Sequence, residues 1–220
     1  MERKNNKSSK YHSFFIKLAF EQAKINLGST GLNPSVGCVV IKNDTVVSSG
    51  HTSVGGRPHA ERNALKKYKN LKDAHLYVSL EPCSHFGVTP PCTNQIIKKK
   101  INNIFFSISD VDKRSANRSF KTLKKKNIRC TKGFSAKYGN IFYKSYFLSK
   151  IKKKPLIDAK IAISNDFYTK NKLKKWITNK YSRKCAHLLR SRYDCLISTS
   201  KTINDDNAIL NCRIDGLEHK

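Results

Sequence analysis

Acidic side chains are scarce in this chain: 15 Asp and Glu face 44 Lys and Arg over 220 residues, a formal net charge of +29. Such a field attracts nucleic acid, an anionic membrane or a phosphorylated small molecule. The lysine runs at 98–100, 124–126 and 152–154 close expected helices, where cations complement the dipole. Solvated basic faces therefore account for much of the excess. Long apolar runs are missing as well. Nothing approaches the ~18 residues of a membrane span, and no apolar stretch follows the charged N-terminus as it would in a secretory signal. A disulfide framework is also missing, since seven cysteines are an odd count and a reducing cytosol suits free thiols. Cys38, Cys130, Cys185, Cys195 and Cys212 are expected to be buried. These absences predict a cytoplasmic protein without a membrane partner. Hydrophobic content is low at 38%, but 10% aromatics and regular apolar spacing argue against disorder.

What is present alternates between helical and strand periods. Residues 1–10 are polar and read as a frayed lead-in. From there Tyr11, Phe14, Phe15, Leu18 and Ile25, with Gln22 as a polar exception, follow helical spacing, and Gly28 offers a stop. Val36–Ile41 and Thr45–Ser49 read as strands joined by a Lys42-Asn43-Asp44 hairpin turn. A helix is expected from His59 to about Lys69, a strand over His75–Leu80 and a helix over Cys92–Lys100. A strand over Asn103–Ser109, a helix over Ala116–Lys126 and a strand over Ile128–Thr131 complete a mixed sheet with helices on its faces. Phe134–Ile151 reads as a linking helix with Tyr138, Ile141, Phe142 and Phe147 inward. Lys152-Lys153-Lys154-Pro155 breaks it, and Leu156–Ile163 reads as a fresh strand, which puts a domain boundary near residue 150.

Three stretches carry the chemistry: Pro58-His59-Ala60-Glu61, then Pro82-Cys83, then Pro90-Pro91-Cys92. One imidazole and two thiols make a donor set for Zn2+, and three protein ligands leave a fourth position for water. Zinc lowers that water's pKa to about 7. Glu61, two residues from His59, can face the open position and carry the water's proton to a departing amine. Hydrolytic deamination needs this set, and zinc deaminases carry it as H-x-E followed by P-C-x-x-C. Here eight residues separate the cysteines, so the second thiol must return on a loop, for which Gly87, Pro90 and Pro91 provide the bends. Pro91 suits the first turn of a helix starting near Cys92.

The strings Asn33-Pro34-Ser35-Val36-Gly37-Cys38-Val39-Val40, Pro58-His59-Ala60-Glu61, Leu80-Glu81-Pro82-Cys83-Ser84-His85 and Thr89-Pro90-Pro91-Cys92 resemble the bifunctional deaminase/reductase family of riboflavin biosynthesis. The resemblance extends over about residues 11–213. It implies an α/β, cytidine-deaminase-like three-layer αβα domain for residues 11–150, followed over 151–220 by the start of a Rossmann-like (dihydrofolate-reductase-like) reductase domain. It implies zinc on His59, Cys83 and Cys92, proton shuttling by Glu61, and a diaminopyrimidinone substrate bearing a ribosylamino 5′-phosphate. Asn33 and His51 would hydrogen-bond the pyrimidine or ribose, with Ser84 and His85 beside the metal. Where the family usually carries Lys or Arg, this chain has Val88, and Arg57 or a nearby Lys is the substitute at hand. Asp110 is a weaker site candidate. In the second half the resemblance places NADPH contacts at Ala162, Trp176, Thr202 and Asp206, and reductase-substrate contacts at Arg190, Leu210 and Arg213.

Two positions depart from the family pattern there: Phe167 replaces a turn glycine after Ser164-Asn165-Asp166, and Lys174 replaces a short polar residue. Residues 155–220 also fall short of the ~100–150 residues of a typical domain, so a partial reductase without turnover of its own is expected. Two other functions compete with the leading one. A base-flipping nucleic-acid deaminase would suit the charge, but the long Cys83–Cys92 loop with Ser84 and His85 argues for a small substrate. A scaffold keeping zinc for structure alone would have no use for Glu61. No nucleic-acid partner is expected, and the sequence leaves a homo-oligomer open.

Overall fold

Strand residues that alternate between two apolar faces need cover on both sides, and each face here has its own helices. A computed structural model describes residues 2–169 and 176–217, with the side chains of 2–7 left aside. It divides into two units, residues 1–156 and 157–220. In the first, strands β1 (Gly37–Lys42), β2 (Thr45–His51), β3 (His75–Leu80), β4 (Asn103–Ile108) and β5 (Arg129–Lys132) form a sheet ordered β2-β1-β3-β4-β5. β1 runs antiparallel to β2 and β3, whereas β3, β4 and β5 are mutually parallel. Asn43 and Asp44, both at positive φ, make the β1–β2 turn, the geometry that suits the strands' twist.

Cys38, Val40, Leu76, Val78, Ile104 and Phe106 point to one face. Helices α2 (Ala60–Leu65), α3 (Cys92–Lys98) and α4 (Arg118–Lys124) cover it through Ala64, Leu65, Ile96 and Leu123. Val39, Ile41, Tyr77 and Phe105 point to the other face, under α1 (Glu2–Lys24) and Tyr143, which follows α5 (Ala136–Phe142).

Several expectations need correction. Residues 2–10 belong to α1 and are not frayed coil. The buried stripe of α1 is Phe15, Ile16, Ala19, Phe20 and Ala23, while Phe14 and Ile25 are exposed. Close packing explains the rotation, because a Cβ on Gly37 would lie 1.8 Å from the Ala19 carbonyl oxygen. Only a glycine opposite small residues lets helix and strand approach so far. The linking helix is three pieces: α5, α6 (Lys144–Phe147) and a π-helical turn at Leu148–Lys152. Tyr143 is its fully buried residue, Phe142 and Phe147 pack partly buried against the same core as expected, Tyr138 sets its ring against Phe20 while remaining exposed on its other side, and Ile141 faces outward. Among the thiols, Cys38 and Cys212 are buried, Cys130 is half-buried, and Cys185 and Cys195 are exposed.

In the second unit, α7 (Lys180–Arg190) and α8 (Ser200–Asp206) are the helices, capped by Asn179 and Thr199. The strand expected over Leu156–Ile163 is not formed, and the described residues of this unit contain no strand, so a Rossmann-like start is not seen. Ile157 and Ile161 are 81% and 71% exposed. β-branched residues favour a strand only where neighbouring strands and a packing surface receive them. Lys174 lies outside the described residues.

Candidate active site

The β2–α2 connection brings the imidazole into place. His59 is the extended residue preceding α2, and Glu61 lies in the first turn, 3% exposed. The Asn63 side-chain amide staples the incoming loop to the helix by donating to the His51 carbonyl (2.8 Å) and the Ser53 hydroxyl (3.0 Å). Gly50 permits the close helix–strand approach, since a Cβ there would lie 2.5 Å from the Ala60 carbonyl oxygen.

The thiols arrive from the carboxyl end of β3. Cys83 follows that strand and Cys92 opens α3. The loop between them is pinched shut, because Thr93 N donates to the Cys83 carbonyl (3.2 Å) and Cys92 N to the Cys83 sulfur (3.2 Å). An eight-residue excursion therefore returns the second thiol beside the first. His59 Nδ1 stands 3.6 Å from Cys83 Sγ and 3.4 Å from Cys92 Sγ, and the three donor atoms lie within 4.8 Å of one another. Zinc bonds of about 2.0–2.1 Å to nitrogen and 2.3 Å to sulfur imply N–S edges of roughly 3.6 Å in a tetrahedron. The donor set and its spacing fit Zn2+.

Proton affinities follow the same contacts. The hydrogen bond from Cys92 and the His59 imidazole bring the Cys83 thiol down to about 4 against the opposing effect of burial. Cys92 is pushed up, first by sharing its proton with Cys83 and then by burial. The bond to Cys83 raises His59. Burial raises Glu61, and the neighbouring Cys83 thiolate adds to that rise.

These groups open onto a cleft of about 250 Å³ whose walls include Asn33, Arg57, His59, Glu61, Cys83 and His85. It lies at the carboxyl ends of β3 and β4, where open α/β sheets bind ligands. Asn33 is held against Gly56, whose positive φ and missing side chain leave room for its amide. The His85 Nδ1 pairs with the Ser115 hydroxyl at 2.8 Å. His51 and Ser84 lie outside the cleft lining, and His51 Nδ1 and Ser84 Oγ are buried without a partner. Val88 also lines the cleft, 85% exposed.

Of the opposite wall the sequence pointed to Asp110 alone. Glu81, buried, accepts from Asp110 N and Asn117 N (both 3.2 Å) and from the Ser119 hydroxyl (2.5 Å), fixing the β4–α4 loop. Asp110 accepts from Tyr146 (2.9 Å), and burial raises its pKa. Asp112 is paired with Arg114 (2.6 Å), with Lys150 at 3.8 Å. Glu81 was visible only as part of the Glu81-Pro82-Cys83 string, and Tyr146 and Lys150 carry no local signal.

In the second unit the Arg190 guanidinium donates to the Asn211 carbonyl (3.0 Å), and that of Arg213 to the Asn211 side chain (2.8 Å), with Leu210 next in chain. Trp176 is exposed under the Arg183 guanidinium, 4.7 Å from its ring. Thr202 N donates to the Thr199 cap (3.2 Å), Asp206 ends α8, and Ala162 is half-buried in the unpaired segment.

A buried carboxylate beside an N/S2 donor set, at the carboxyl ends of a mixed five-stranded sheet, defines a zinc-dependent hydrolytic deaminase domain. Residues 9–108 match the family model described as the cytidine and deoxycytidylate deaminase zinc-binding region. The diaminohydroxyphosphoribosylamino-pyrimidine deaminase of Buchnera aphidicola subsp. Acyrthosiphon pisum is 38% identical over 135 residues, 61% of this chain and 92% of that protein. The riboflavin biosynthesis protein RibD of Buchnera aphidicola subsp. Baizongia pistaciae is 36% identical over 91% of this chain and 55% of its own length. A solved diaminohydroxyphosphoribosylaminopyrimidine deaminase/5-amino-6-(5-phosphoribosylamino)uracil reductase from Thermotoga maritima superposes with a TM-score of 0.85 at 31% identity, covering 95% of this chain and 61% of that one. The chain belongs to the RibD-type diaminohydroxyphosphoribosylaminopyrimidine deaminase family of riboflavin biosynthesis. It spans about 55% of the length of the RibD relative it matches.

Proposed function

We propose that this chain hydrolyses the exocyclic amine of 2,5-diamino-6-ribosylamino-4(3H)-pyrimidinone 5′-phosphate, leaving a carbonyl oxygen and releasing ammonia. The observation that carries this is the buried Glu61 carboxylate, which lines the cleft together with His59 and Cys83 of the donor set. His59, Cys83 and Cys92 would hold Zn2+, which supplies Lewis-acid polarisation and lowers the pKa of a water to about 7. Glu61 takes a proton from the attacking water and delivers it to the departing nitrogen. Burial supports that role, since a carboxylate with a raised pKa holds a proton at neutral pH more readily than an exposed one. Asn33 and His85 face the substrate from the cleft walls. His51 and Ser84, whose Nδ1 and Oγ are buried and unpartnered outside the cleft lining, are kept as substrate contacts on the family resemblance.

The same reading assigns residues 151–220 to the reductase side of the family. Ala162, Trp176, Thr202 and Asp206 would contact NADPH, and Arg190, Leu210 and Arg213 the reductase substrate. What supports it is that the similarity to RibD relatives runs over 91% of this chain, well past residue 150.

Ammonia release from the diaminopyrimidinone phosphate by zinc-loaded protein tests the central claim. Glu61→Gln should keep its zinc by metal analysis while losing roughly 10²–10⁴-fold in kcat. Full activity in that variant would remove Glu61 from the mechanism.

A further inference from the structure

The charged lining of the cleft divides by sign. Its carboxylates are Glu61, Glu81, Asp110 and Asp112, and the cations Arg114 and Lys150 are drawn to Asp112. Acceptors of this kind suit a ring rich in amino and N–H donors, and they repel a phosphate. Arg57 stands apart. None of the ion pairs among the described residues includes it, and its Nη1 donates to the Thr89 hydroxyl at 2.9 Å. A Cβ on Gly87 would lie 3.6 Å from its Nη2. The guanidinium is thus steered by a neutral partner and keeps its charge uncompensated.

Behind Arg57 lies a second cavity, of about 340 Å³, which shares Arg57 with the cleft and is also lined by Thr89. Its charged lining is Arg57, Arg62 and Lys66, with no carboxylate. Arg62 and Lys66 sit four residues apart on and just after α2, and so share a helix face. This is the same helix that carries Glu61. Three cations around one concavity form an anion-binding surface, and guanidinium groups fit phosphate oxygens in bidentate fashion.

Resting on the deaminase reading above, we propose that the pocket walled by Arg57, Arg62 and Lys66 seats the 5′-phosphate of the substrate, with Arg57 as the post shared between ring cleft and phosphate pocket. The acid-lined end then receives the amino-bearing ring and the base-lined end the phosphate, so charge alone sets the direction of binding. Val88 can remain apolar because the cation comes from residue 57.

The test titrates inorganic phosphate into the full zinc-loaded chain by calorimetry and compares kcat/KM for the phosphorylated substrate with that for its dephosphorylated counterpart. The proposal expects Arg57→Gln and the double variant Arg62→Gln/Lys66→Gln each to weaken phosphate binding roughly 10- to 100-fold, as loss of a charge-assisted contact does. Each should also shrink the preference for phosphorylated substrate by a similar factor. Arg57→Lys, which keeps the charge but not the fork, should fall between. Circular dichroism matching the parent excludes misfolding. Phosphate affinity unchanged in both variants would overturn the proposal, as would a drop in kcat/KM equal for both substrates. If the parent released no ammonia from either substrate, the deaminase reading would fall. The calorimetric comparison would still decide the pocket.

Discussion

Tyr143 anchors the end of α5 in the core on the α1 side of the sheet. Its hydroxyl bonds to Ser79 (2.6 Å) and donates to the Ser35 carbonyl (3.1 Å), while Ser79 Oγ accepts from Gly37 N at 3.0 Å. The network ties β1, β3 and the α5 end together without any exposed atom. Burial pushes the Tyr143 pKa well above that of a free phenol. The folded state therefore holds this proton where the unfolded chain, with a tyrosine pKa near 10, releases it. The contribution is complete below about pH 10 and is lost as pH rises toward the higher folded value. Tyr143→Phe should cost about 1–3 kcal/mol near neutrality, because its partners lose a buried bond. It should also make the alkaline decline in stability shallower, though not flat, since Tyr146 is raised by burial as well. Urea unfolding from pH 7 to 11 measures both effects.

At the scale of elements, the site depends on loops held by side chains rather than by ladders. Glu81 is the main example, a carboxylate that accepts three hydrogen bonds from the loop and helix following β4. That loop carries Asp110, Asp112 and Arg114 into the cleft wall. Glu81→Gln replaces one carboxylate oxygen with a donor and leaves one or two of these groups facing N–H or solvent. About 1–3 kcal/mol of stability should be lost. Amide exchange over 109–119 should accelerate more than exchange in β3, because the loss is local. Uniform acceleration across the sheet would instead make Glu81 a general core residue. The Cys83–Cys92 excursion is held in the same way, by bonds between its ends, so its length is free to differ from the two-residue spacing of other zinc deaminases.

On the scale of the whole molecule, zinc is expected to act as a fold-stabilising ligand of the first unit. A ligand at a hundredfold excess over its Kd contributes about 2.7 kcal/mol, roughly 5–10 °C in Tm for a unit of this size. Chelation should lower Tm by that amount, and readdition should restore it. In Cys83→Ser and Cys92→Ser the response to zinc should be small or absent. A parent Tm indifferent to chelation would argue against His59, Cys83 and Cys92 as the binding set. No helix among the described residues is long and apolar enough to cross a membrane.

Legible from the residues alone were the donor set of the site and the order of strands and helices as far as β5. His59, Glu61, Cys83 and Cys92 lie in short strings whose spacing alone implies a metal and a proton carrier, and the central strands announce themselves as short apolar runs. Tertiary structure decided what depends on long-range contact. The buried face of α1 turned toward Ala19 and Ala23 because Gly37, far along the chain, is where the helix descends. Glu81 became a loop anchor through Asn117 and Ser119, and Arg57 is in none of the ion pairs among the described residues, where Asp112 pairs with Arg114 and Lys150 instead. Leu156–Ile163 has the composition of a strand but lacks a strand to pair with among the described residues. Composition expresses a preference for the extended state, and only a neighbouring backbone turns that preference into a sheet.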